Sequence, residues 1–519
     1  MEVQRQANAA LAYVQEWGVS NKLKFAPQKT KAMIITNKMK YDSPLLHMGG
    51  INIQLSREIK ILGLTIDDKL TFNAHVTNTC IKVQNIYKQL SRAAKVSWGL
   101  HPQVIQTIYT AVVEPIVLYA AGAWAPAAKK LGVRKRLSAI QRSFAQKMTK
   151  AYRTVSLNSA LILAGMLPLD LRIQEAATLF EAKRGIFQPV LGDREIEVKA
   201  LYTTKPHPAE QMDLKFTNLV DRIEVETHNK QAVRIFTDGS KIEGKVGAAL
   251  SIWNYETETK TLKLKLDSHC SVYQAELVAL SRAASIAVQT KEKTIGIYSD
   301  SRSSLESVVG KNSLHPLVAN IRDKLRVCRN QSKEVLLFWV KAHAGLEGNE
   351  RADVLAKEAA LTLKKRPDYD QCPVSFVKRQ LRDRSIEEWN RRYKSDETAA
   401  VTKLFFPDAT SGYKIVKKIE LTMVMTQVLT GHGGFSEYLN RFKCKEDPSC
   451  LCEPGVNESV THIILDCPMY GKERFEIEME INKKVSSSNL SLIMLEESSR
   501  NLFLEYCIKI AEKVIKRNK

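Results

Sequence analysis

The sequence has few cysteines for its length and lacks a segment typical of a secretory signal. Its 519 residues include nine cysteines, and the residues after Met1 form the polar run 2–6. Secreted domains that depend on disulfides carry a denser cysteine framework, and a signal peptide starts with a basic segment followed by an apolar core. We therefore expect an intracellular protein, in the nucleus or the cytoplasm, that is not secreted.

Long apolar runs are also missing. The longest apolar stretch, from Val104 to Ala125, carries Glu114 and Pro115 near its middle. A charge at the centre of a membrane-spanning helix is costly. The stretch therefore predicts two packed helical pieces of a soluble domain, and no membrane partner is expected.

Acidic residues are outnumbered by basic ones. The chain has 78 lysines and arginines against 56 aspartates and glutamates, which gives a formal net charge of +22. This excess is larger than solubility requires and indicates a polyanionic partner. The length suits three or four domains, each large enough to bury its own core.

Four of the acids stand at places where elements begin or end. Asp238 follows the apolar strand 233–237, Glu276 opens a helix, Asp300 ends the strand 294–299, and Asp353 lies in a late helical segment. Any one of them alone would be an ordinary solvated side chain. Magnesium prefers carboxylate oxygens and keeps several waters, so four acids brought together by strand ends and helix starts would suit a pair of hard cations.

The order of these acids resembles that of the type 1 ribonucleases H. The most specific part is the segment from Trp339 to Asp353, and the resemblance covers residues 231–362. It implies an α/β domain with a ribonuclease H-like mixed sheet and flanking helices. It also implies cleavage of the RNA strand of an RNA:DNA hybrid by two-metal hydrolysis, with Mg²⁺ as the cofactor and Mn²⁺ as a possible substitute. The expected site residues are Asp238, Glu276, Asp300 and Asp353 as metal ligands, with His343 protonating the leaving group or assisting product release.

The patterning inside this segment fits that fold. Leu262, Leu264 and Leu266 alternate with lysines, which predicts a half-buried antiparallel strand in a three-stranded meander. A helix is expected over 276–287. Ser271–Gln274 lacks the asparagines with which cellular relatives touch the hybrid's minor groove, and residues 301–334 lack a tryptophan-rich basic handle. Substrate grip is therefore expected from the flanking domains.

The N-terminal part resembles the end of a reverse transcriptase palm from a non-LTR retrotransposon. The matching segments are Lys22–Lys31 and Ile61–Leu64, the latter in a predicted apolar strand Ile61–Ile66. The passage 152–169 resembles the connection of insect-type elements. In that family the catalytic Asp-Asp turn precedes these segments, whereas Asp67-Asp68 follows them and is typical of a turn. Polymerase activity of this chain alone is not expected. A polymerase fragment and a non-catalytic nucleic-acid-binding remnant remain alternatives.

Near the C-terminus a group of metal-ligand residue types is found at Cys450, Cys452, His462 and Cys467. The group resembles the cysteine-histidine motif of non-LTR retrotransposon polyproteins. Zinc held by four such ligands would be tetrahedral and structural. Cys444 is an alternative ligand, and buried unligated cysteines are the other interpretation. His432 is expected to pack in its glycine-rich turn.

Together these observations predict seven segments and two kinds of partner, RNA:DNA hybrid and other nucleic acid. The segments are a partial palm end at 1–75, a helical thumb and connection region at 76–190, a linker at 191–230, the ribonuclease H domain at 231–362, a basic helical region at 363–429, the zinc-binding motif at 430–475 and a C-terminal helical tail at 476–519.

Overall fold

The computed structural model of the chain describes residues 2–94, 99–186, 191–201, 206–207, 210–220, 224, 227–228, 231–342 and 345–519. The chain divides into two compact units. One is continuous, Thr178–Arg382, and the other combines Met1–Ala177 with Asp383–Lys519. The chain passes from one unit to the other within the helices Leu169–Ala182 and Val374–Ser395.

The continuous unit is built on a six-stranded mixed sheet. Its strands are β1 (Phe216–Leu219), β2 (Val233–Ile242), β3 (Lys245–Asn254), β4 (Thr257–Leu266), β5 (Thr294–Ser299) and β6 (Glu334–Val340), and its helices are α1 (Val272–Gln289), α2 (Arg302–Val309), α3 (Pro316–Asn330) and α4 (Glu347–Thr362). The strand order is β4-β3-β2-β5-β6-β1. The strands β2, β3 and β4 form an antiparallel meander, while β5, β6 and β1 run parallel to β2.

Both faces of the sheet are covered, which explains why its central strands carry runs of consecutive apolar residues such as Ile235–Phe236 and Val335–Val340. On one face Ile235 and Ile297 pack in a core that includes residues of α1 and α3. On the other face Phe236, Tyr298 and Phe338 stack, with successive ring centroids 4.6 and 4.7 Å apart. Strands buried on both faces read as continuous hydrophobic runs, whereas β4 at the sheet edge keeps the predicted alternation.

A glycine allows α4 to lie close to β3. A Cβ added at Gly247 would come 2.4 Å from the backbone nitrogen of Ala360, a distance that real Cβ atoms do not show. The helix contributes small alanines to the same contact. The close approach fixes the position of α4, the helix that carries Asp353.

The linker prediction for 191–230 was wrong over part of its length. Phe216–Leu219 pairs in parallel with β6, with Phe216 opposite Leu337 and Leu219 opposite Val340. This strand has only four residues and lies at the sheet edge, so it has neither the length nor the alternation that would have shown it in the sequence.

The discontinuous unit is mainly helical. Its helices are Glu2–Ser20, Asn73–Ala93, Pro102–Ile108, Glu114–Leu118, Ala121–Trp124, Leu131–Met148, Leu157–Leu163, Leu169–Ala182, Val374–Ser395, Ala400–Phe405, Ala409–Val416, Met423–Thr430, Ser436–Arg441, Gly471–Ile481, Leu490–Leu495 and Glu497–Arg517. Short strand pairs join Lys31–Ala32 with Gln54–Leu55, His47–Met48 with Ile51–Asn52, Glu58–Ile61 with Leu64–Asp67, and Ser449–Cys450 with Glu453–Asn457.

Segments predicted as separate domains share one core in this unit. Buried side chains from Val76 to Ala177 and from Ile386 to Val514 belong to a single hydrophobic cluster. Polar contacts cross it as well: Thr426 Oγ1 donates to the Thr149 carbonyl at 2.6 Å, and Arg392 Nη1 donates to Asp170 Oδ2 at 2.6 Å. The predicted boundaries at 429 and 475 therefore cut through one packed core, because the packing joins residues far apart in sequence.

The segment predicted as one strand at Ile61–Ile66 is a hairpin. Leu62 and Gly63 both have positive φ, 47° and 91°, and Lys60 pairs with Thr65. Two such residues at a tight turn reverse the chain. Next to it the Asp67 carboxylate accepts hydrogen bonds from the backbone of Thr71 and Phe72 at 2.9 and 2.6 Å, as a turn residue does.

In the described part of the chain no single helix has both the length and the apolar character to cross a membrane. One bent pair, Pro102–Leu118 with Ala121–Lys129, meets the criteria of length and composition jointly. It includes the stretch that carries Glu114 and Pro115, and its Val113, Val117 and Trp124 are buried in the unit's core.

Candidate metal centres

The first candidate site lies where β5 ends beside the middle of β2. The prediction that this strand stops at Thr237 was wrong, because β2 continues past Asp238 to Ile242 while it pairs with β3. In the parallel ladder Ser299 pairs with Thr237, so the next residues along the two strands are Asp300 and Asp238. The Thr237 hydroxyl donates to the Tyr298 carbonyl at 3.1 Å and ties the strands together at this level. Strand pairing alone therefore brings the two carboxylates, 62 positions apart in the chain, to one place.

Glu276 reaches the same place from α1, which begins earlier than predicted. The helix starts at Val272 behind a capping box formed by Ser271 and Gln274, so Glu276 lies in its second turn. A Cβ added at Gly239 would lie 2.6 Å from the backbone nitrogen of Glu276. Only glycine allows strand and helix to approach this closely, and that approach places Glu276 beside Asp238.

One ligand oxygen from each of Asp238, Glu276 and Asp300 lies within 4.8 Å of the others. Asp238 and Glu276 are each 6% exposed. Burial and the charges of Asp300 and Asp353 raise the pKa of Asp238 to about 7. Burial, Asp238 and Asp300 raise the pKa of Glu276 well above its usual range, and its Oε2 has no hydrogen-bond partner among the described residues. Two buried acids and the half-buried Asp300 fit a hard divalent cation, which would favour their ionised forms.

Asp353 is near this group but is not part of it. Its Oδ2 accepts a hydrogen bond from Lys357 Nζ at 2.7 Å, while its charge still acts on Asp238. Lys357 stands four positions along α4 from Asp353, a spacing at which oppositely charged side chains meet. Sequence reasoning named Asp353 and missed its ammonium partner, although that spacing shows it.

Trp339 has a role at this site that the sequence resemblance did not assign. Its indole Nε1 donates to the carbonyl of Asp300 at 2.9 Å. The tryptophan lies on β6, the neighbour of β5, and so holds the backbone at the point where the chain leaves β5. The predicted His343 lies outside the described residues, and its role stays a prediction.

The second candidate site brings together the four predicted zinc ligands. Cys450 Sγ and Cys467 Sγ are 3.8 Å apart, and Cys452 Sγ and His462 Nε2 are 3.2 Å apart. Ligand atoms at the corners of a tetrahedral zinc site lie about 3.5–3.8 Å from one another. The Cys450–Cys467 distance falls in this range, the Cys452–His462 distance is slightly shorter, and all four ligand atoms lie within 4.8 Å of one another. The geometry therefore fits one ion held by three thiolates and an imidazole.

Neighbouring residues define the limits of this second site. Cys450 and Cys467 are buried in the core of the discontinuous unit, whereas Cys444 is exposed and outside the ligand group. Burial and the adjacent thiols raise the pKa of Cys452 to about 12, and a bound cation would act in the opposite direction. His432 packs as predicted, with its Nδ1 2.9 Å from Thr154 Oγ1 and its ring 5.1 Å from that of Tyr438.

Comparison with known proteins agrees with this fold. The RNase H family model matches residues 230–361. The predicted α/β class and ribonuclease H-like mixed sheet are thus confirmed. Two solved structures are similar over about a quarter of the chain. One is a foamy viral protease-reverse transcriptase in complex with dsDNA, with 22% identity and a TM-score of 0.23 over 26% of this chain and 97% of that chain. The other is an RNase H domain from Mycobacterium tuberculosis fused to maltose-binding protein, with 21% identity and a TM-score of 0.21 over 25% of this chain and 98% of that chain.

The relatives are proteins of type-1 retrotransposable elements. A 115 kDa protein of the element R1DM from Drosophila melanogaster is 27% identical over 34% of this chain and 17% of its own length. A Pol polyprotein of an R1 element from Nasonia vitripennis is 28% identical over 27% of this chain and 35% of its own length. The corresponding protein from Popillia japonica is 23% identical over 47% of this chain and 95% of its own length. The chain thus carries a ribonuclease H domain and is related to R1 non-LTR retrotransposon Pol polyproteins, and its alignments span less than half of the first two relatives.

The carboxylate site leads to a prediction about stability. The pKa of Asp238 is higher in the folded state than in the unfolded chain, so its ionisation lowers the free energy of unfolding. This destabilisation begins when the pH exceeds the pKa of the unfolded state and reaches its full size above the folded-state pKa of about 7. We therefore expect Asp238→Asn to stabilise the metal-free continuous unit at pH 8 by about 1–3 kcal/mol and to have little effect at pH 4. Hydrogen exchange of the β2 amides in the full chain, with a chelator present, would measure it.

The matched control is Asp213→Asn, which removes an exposed acid from the same unit. It should leave exchange of the β2 amides unchanged at both pH values. Equal or faster exchange in Asp238→Asn at pH 8 would contradict the prediction.

The cysteine-histidine site leads to a second prediction. Metal binding and folding are coupled where the site is part of the core. Cys452→Ser should lose bound zinc and increase hydrogen exchange in the helices Gly471–Ile481 and Glu497–Arg517. Cys444→Ser should keep both at the unmodified level. Elemental analysis and hydrogen exchange would check this, and equal zinc content in the two variants would show that Cys452 is not a ligand.

Proposed function

We propose that the continuous unit cuts the RNA strand of RNA:DNA hybrids by two-metal hydrolysis. The observation that carries the proposal is the meeting of Asp238, Glu276 and Asp300, with ligand oxygens within 4.8 Å, where β5 ends beside β2 in a ribonuclease H-like sheet. Mutual repulsion and burial make this arrangement unfavourable unless divalent cations occupy it. The family match and the R1 relatives support a ribonuclease H-type nuclease within a retrotransposon protein.

The proposed role of each acidic residue follows from its position in the fold. Asp238 and Asp300, on adjacent strands, would hold Mg²⁺, or Mn²⁺ in its place, against the scissile phosphate, and Glu276 would complete the site from α1. Bound divalent cations supply a hydroxide nucleophile and stabilise the leaving oxygen. Asp353 would join after its carboxylate turns from Lys357, which then faces the substrate phosphate as a cation.

Hybrid specificity should come from the two strands together. The 2′-hydroxyl distinguishes RNA on the cut strand, and duplex shape distinguishes a hybrid from double-stranded RNA. A non-catalytic remnant that only binds nucleic acid is the alternative function. A cleavage assay distinguishes the two functions, because the non-catalytic remnant would bind nucleic acid without cutting it.

The test of this function is cleavage by the purified full chain. We expect Mg²⁺-dependent cutting of the RNA strand of a hybrid, no cutting of duplex DNA, and at least a roughly 100-fold lower rate in Glu276→Gln, which keeps the side-chain shape and removes a ligand charge. Asp323→Asn, at an exposed acid on α3, is the control and should cut normally. Equal cutting by Glu276→Gln, or cutting unaffected by chelation, would refute the mechanism.

A second observation favours additional nucleic-acid binding by the discontinuous unit. The rings of Tyr152 and Tyr438 lie 6.2 Å apart, and those of Tyr438 and Phe442 lie 4.9 Å apart. Tyr152 and Phe442 are 37% and 43% exposed, and the Arg441 guanidinium lies 5.9 Å from the Phe442 ring centroid. Exposed aromatic rings interleaved with cations suit stacked bases and phosphates of a single strand.

This aromatic surface, defined by Tyr152, Tyr438 and Phe442, should contribute measurably to the affinity of the chain for single-stranded nucleic acid. Phe442→Ala should weaken binding of single-stranded RNA or DNA by about 5- to 100-fold, because one stacked base is lost. Phe475→Ala, at another exposed phenylalanine of the unit, is the control and should bind normally. Fluorescence anisotropy with labelled oligonucleotides would measure both affinities, and equal affinities would exclude the surface.

A further inference from the structure

The carboxylate of Glu197 is buried in the continuous unit but lies outside residues 230–361, the part that matches the RNase H family. The residue is 9% exposed. Its Oε2 lies 3.0 Å from His315 Nε2, and its Oε1 accepts hydrogen bonds from Gln274 Nε2 at 3.1 Å and from the Tyr369 hydroxyl. Burial opposes ionisation, but these donors hold the pKa of Glu197 below its usual range. The chain therefore stabilises a carboxylate anion here that is not one of the candidate metal ligands described above.

The partner Gln274 belongs to the capping box that starts α1. Its Oε1 accepts from the Ser271 backbone at 3.0 Å, while the Ser271 hydroxyl accepts from the Gln274 backbone at 3.2 Å. Its Nε2 donates to Glu197 and to the Gln371 carbonyl at 3.2 Å. Gln274 is 1% exposed and uses its amide entirely within the protein, so it does not face a substrate.

Two chain segments meet over the start of α1 and hold Glu197 there. The Glu197 backbone nitrogen donates to the Cys372 carbonyl at 2.9 Å, and the Cys372 nitrogen donates to the Glu195 carbonyl at 2.7 Å. On the second segment Tyr369 bridges to Leu266, the last residue of β4. The segments 195–197 and 369–372 thus connect the regions before and after the family-matched residues to the beginning of one helix.

Glu276 lies in the next turn of the same helix. It follows Gln274 by two residues, it is 6% exposed, and among the described residues its Oε2 has no hydrogen-bond partner. The Gly239 backbone also hydrogen-bonds to the carboxylate, so the place of Glu276 depends on the α1 backbone and on its close approach to β2. A shift of the capping box would move the carboxylate relative to Asp238 and Asp300, and small misplacements of catalytic groups carry large costs.

We propose that Glu197 is a positioning residue for the carboxylate site. Through Gln274 it fixes the first turn of α1 and so places Glu276 against Asp238 and Asp300. The segments 195–197 and 369–372 therefore contribute to the geometry of the carboxylate site. The inference rests on the proposed hybrid-cutting function for its kinetic consequence. Its consequence for metal binding can be measured independently of cleavage.

The experiment compares Glu197→Gln and Glu197→Ala with Glu195→Ala in the full chain. Glu195 is exposed in the same segment, and only its backbone carbonyl takes part in the contact. Mn²⁺ affinity by titration calorimetry, hydrogen exchange at 271–276, and kcat and KM for a hybrid are measured. Partners that orient metal ligands alter affinity or activity by about 10- to 100-fold when removed.

We expect Glu197→Ala to weaken Mn²⁺ binding about 10-fold or more, to speed exchange at 271–276, and to lower kcat with KM nearly unchanged. Glu197→Gln, which retains an acceptor and the side-chain shape, should fall between it and the unmodified chain. Glu195→Ala should match the unmodified chain in all three measurements. Restoration of kcat in Glu197→Gln by excess Mn²⁺ would further support a positioning role, since the ligands themselves are intact.

Two outcomes would overturn the inference. Unchanged Mn²⁺ affinity in a folded Glu197→Gln or Glu197→Ala chain would show that the network only stabilises the fold. An equal loss in Glu195→Ala would show that the segment, not the carboxylate, matters. If the unmodified chain binds Mn²⁺ but cuts no hybrid, the proposed function fails, and the affinity difference between Glu197→Ala and Glu195→Ala still tests the positioning role.

Discussion

The burial of like charges where β5 ends beside the middle of β2 is the constraint on which the continuous unit depends. Asp238 and Glu276 are each 6% exposed and lie with Asp300 in one group. Left to themselves such acids would separate or take up protons. They stay together because parallel pairing fixes Asp238 beside Asp300, and because Gly239 lets α1 approach the strand. The apolar packing on both faces of the sheet therefore has a second effect, since it holds an arrangement that electrostatics alone would disperse.

The sequence was informative where local pattern and chemistry coincide. Asp238 and Asp300 each follow an apolar run, and neighbouring parallel strands bring such residues side by side, so their meeting could be predicted. The expected end of the first strand at Thr237 was wrong, because β2 continues to Ile242. Glu276 was predicted correctly as a helical acid, although its helix begins at Val272 and not at the glutamate itself. The capping box Ser271–Gln274 was visible in the sequence and would have set that boundary.

What could not be predicted depends on packing between distant segments. The strand Phe216–Leu219 has four residues and becomes recognisable only by pairing with β6. Glu197 looks like a surface acid until the fold brings His315 and Tyr369 to it, more than 100 positions later in the chain. The single core of the discontinuous unit likewise joins residues on both sides of an inserted domain. Periodicity reports which face of an element is buried, but it does not report which partner buries it.

The two candidate centres differ in the hardness of their ligand atoms, and this difference favours a different kind of metal ion at each. The first offers carboxylate oxygens where β5 ends beside β2, and Asp300 is only half-buried, which suits a hydrated hard cation. The second offers three sulfurs and one nitrogen, with Cys450 and Cys467 buried in an apolar core. This set suits an ion such as zinc that binds thiolates well and takes all four of its ligands from the protein. Magnesium competes poorly for thiolates, while zinc in the carboxylate site would lack the waters and the octahedral geometry of magnesium. The ligand chemistry thus favours different ions in different units of the chain, and we expect that loss of an ion from the cysteine-histidine site leaves the carboxylate site able to bind metal.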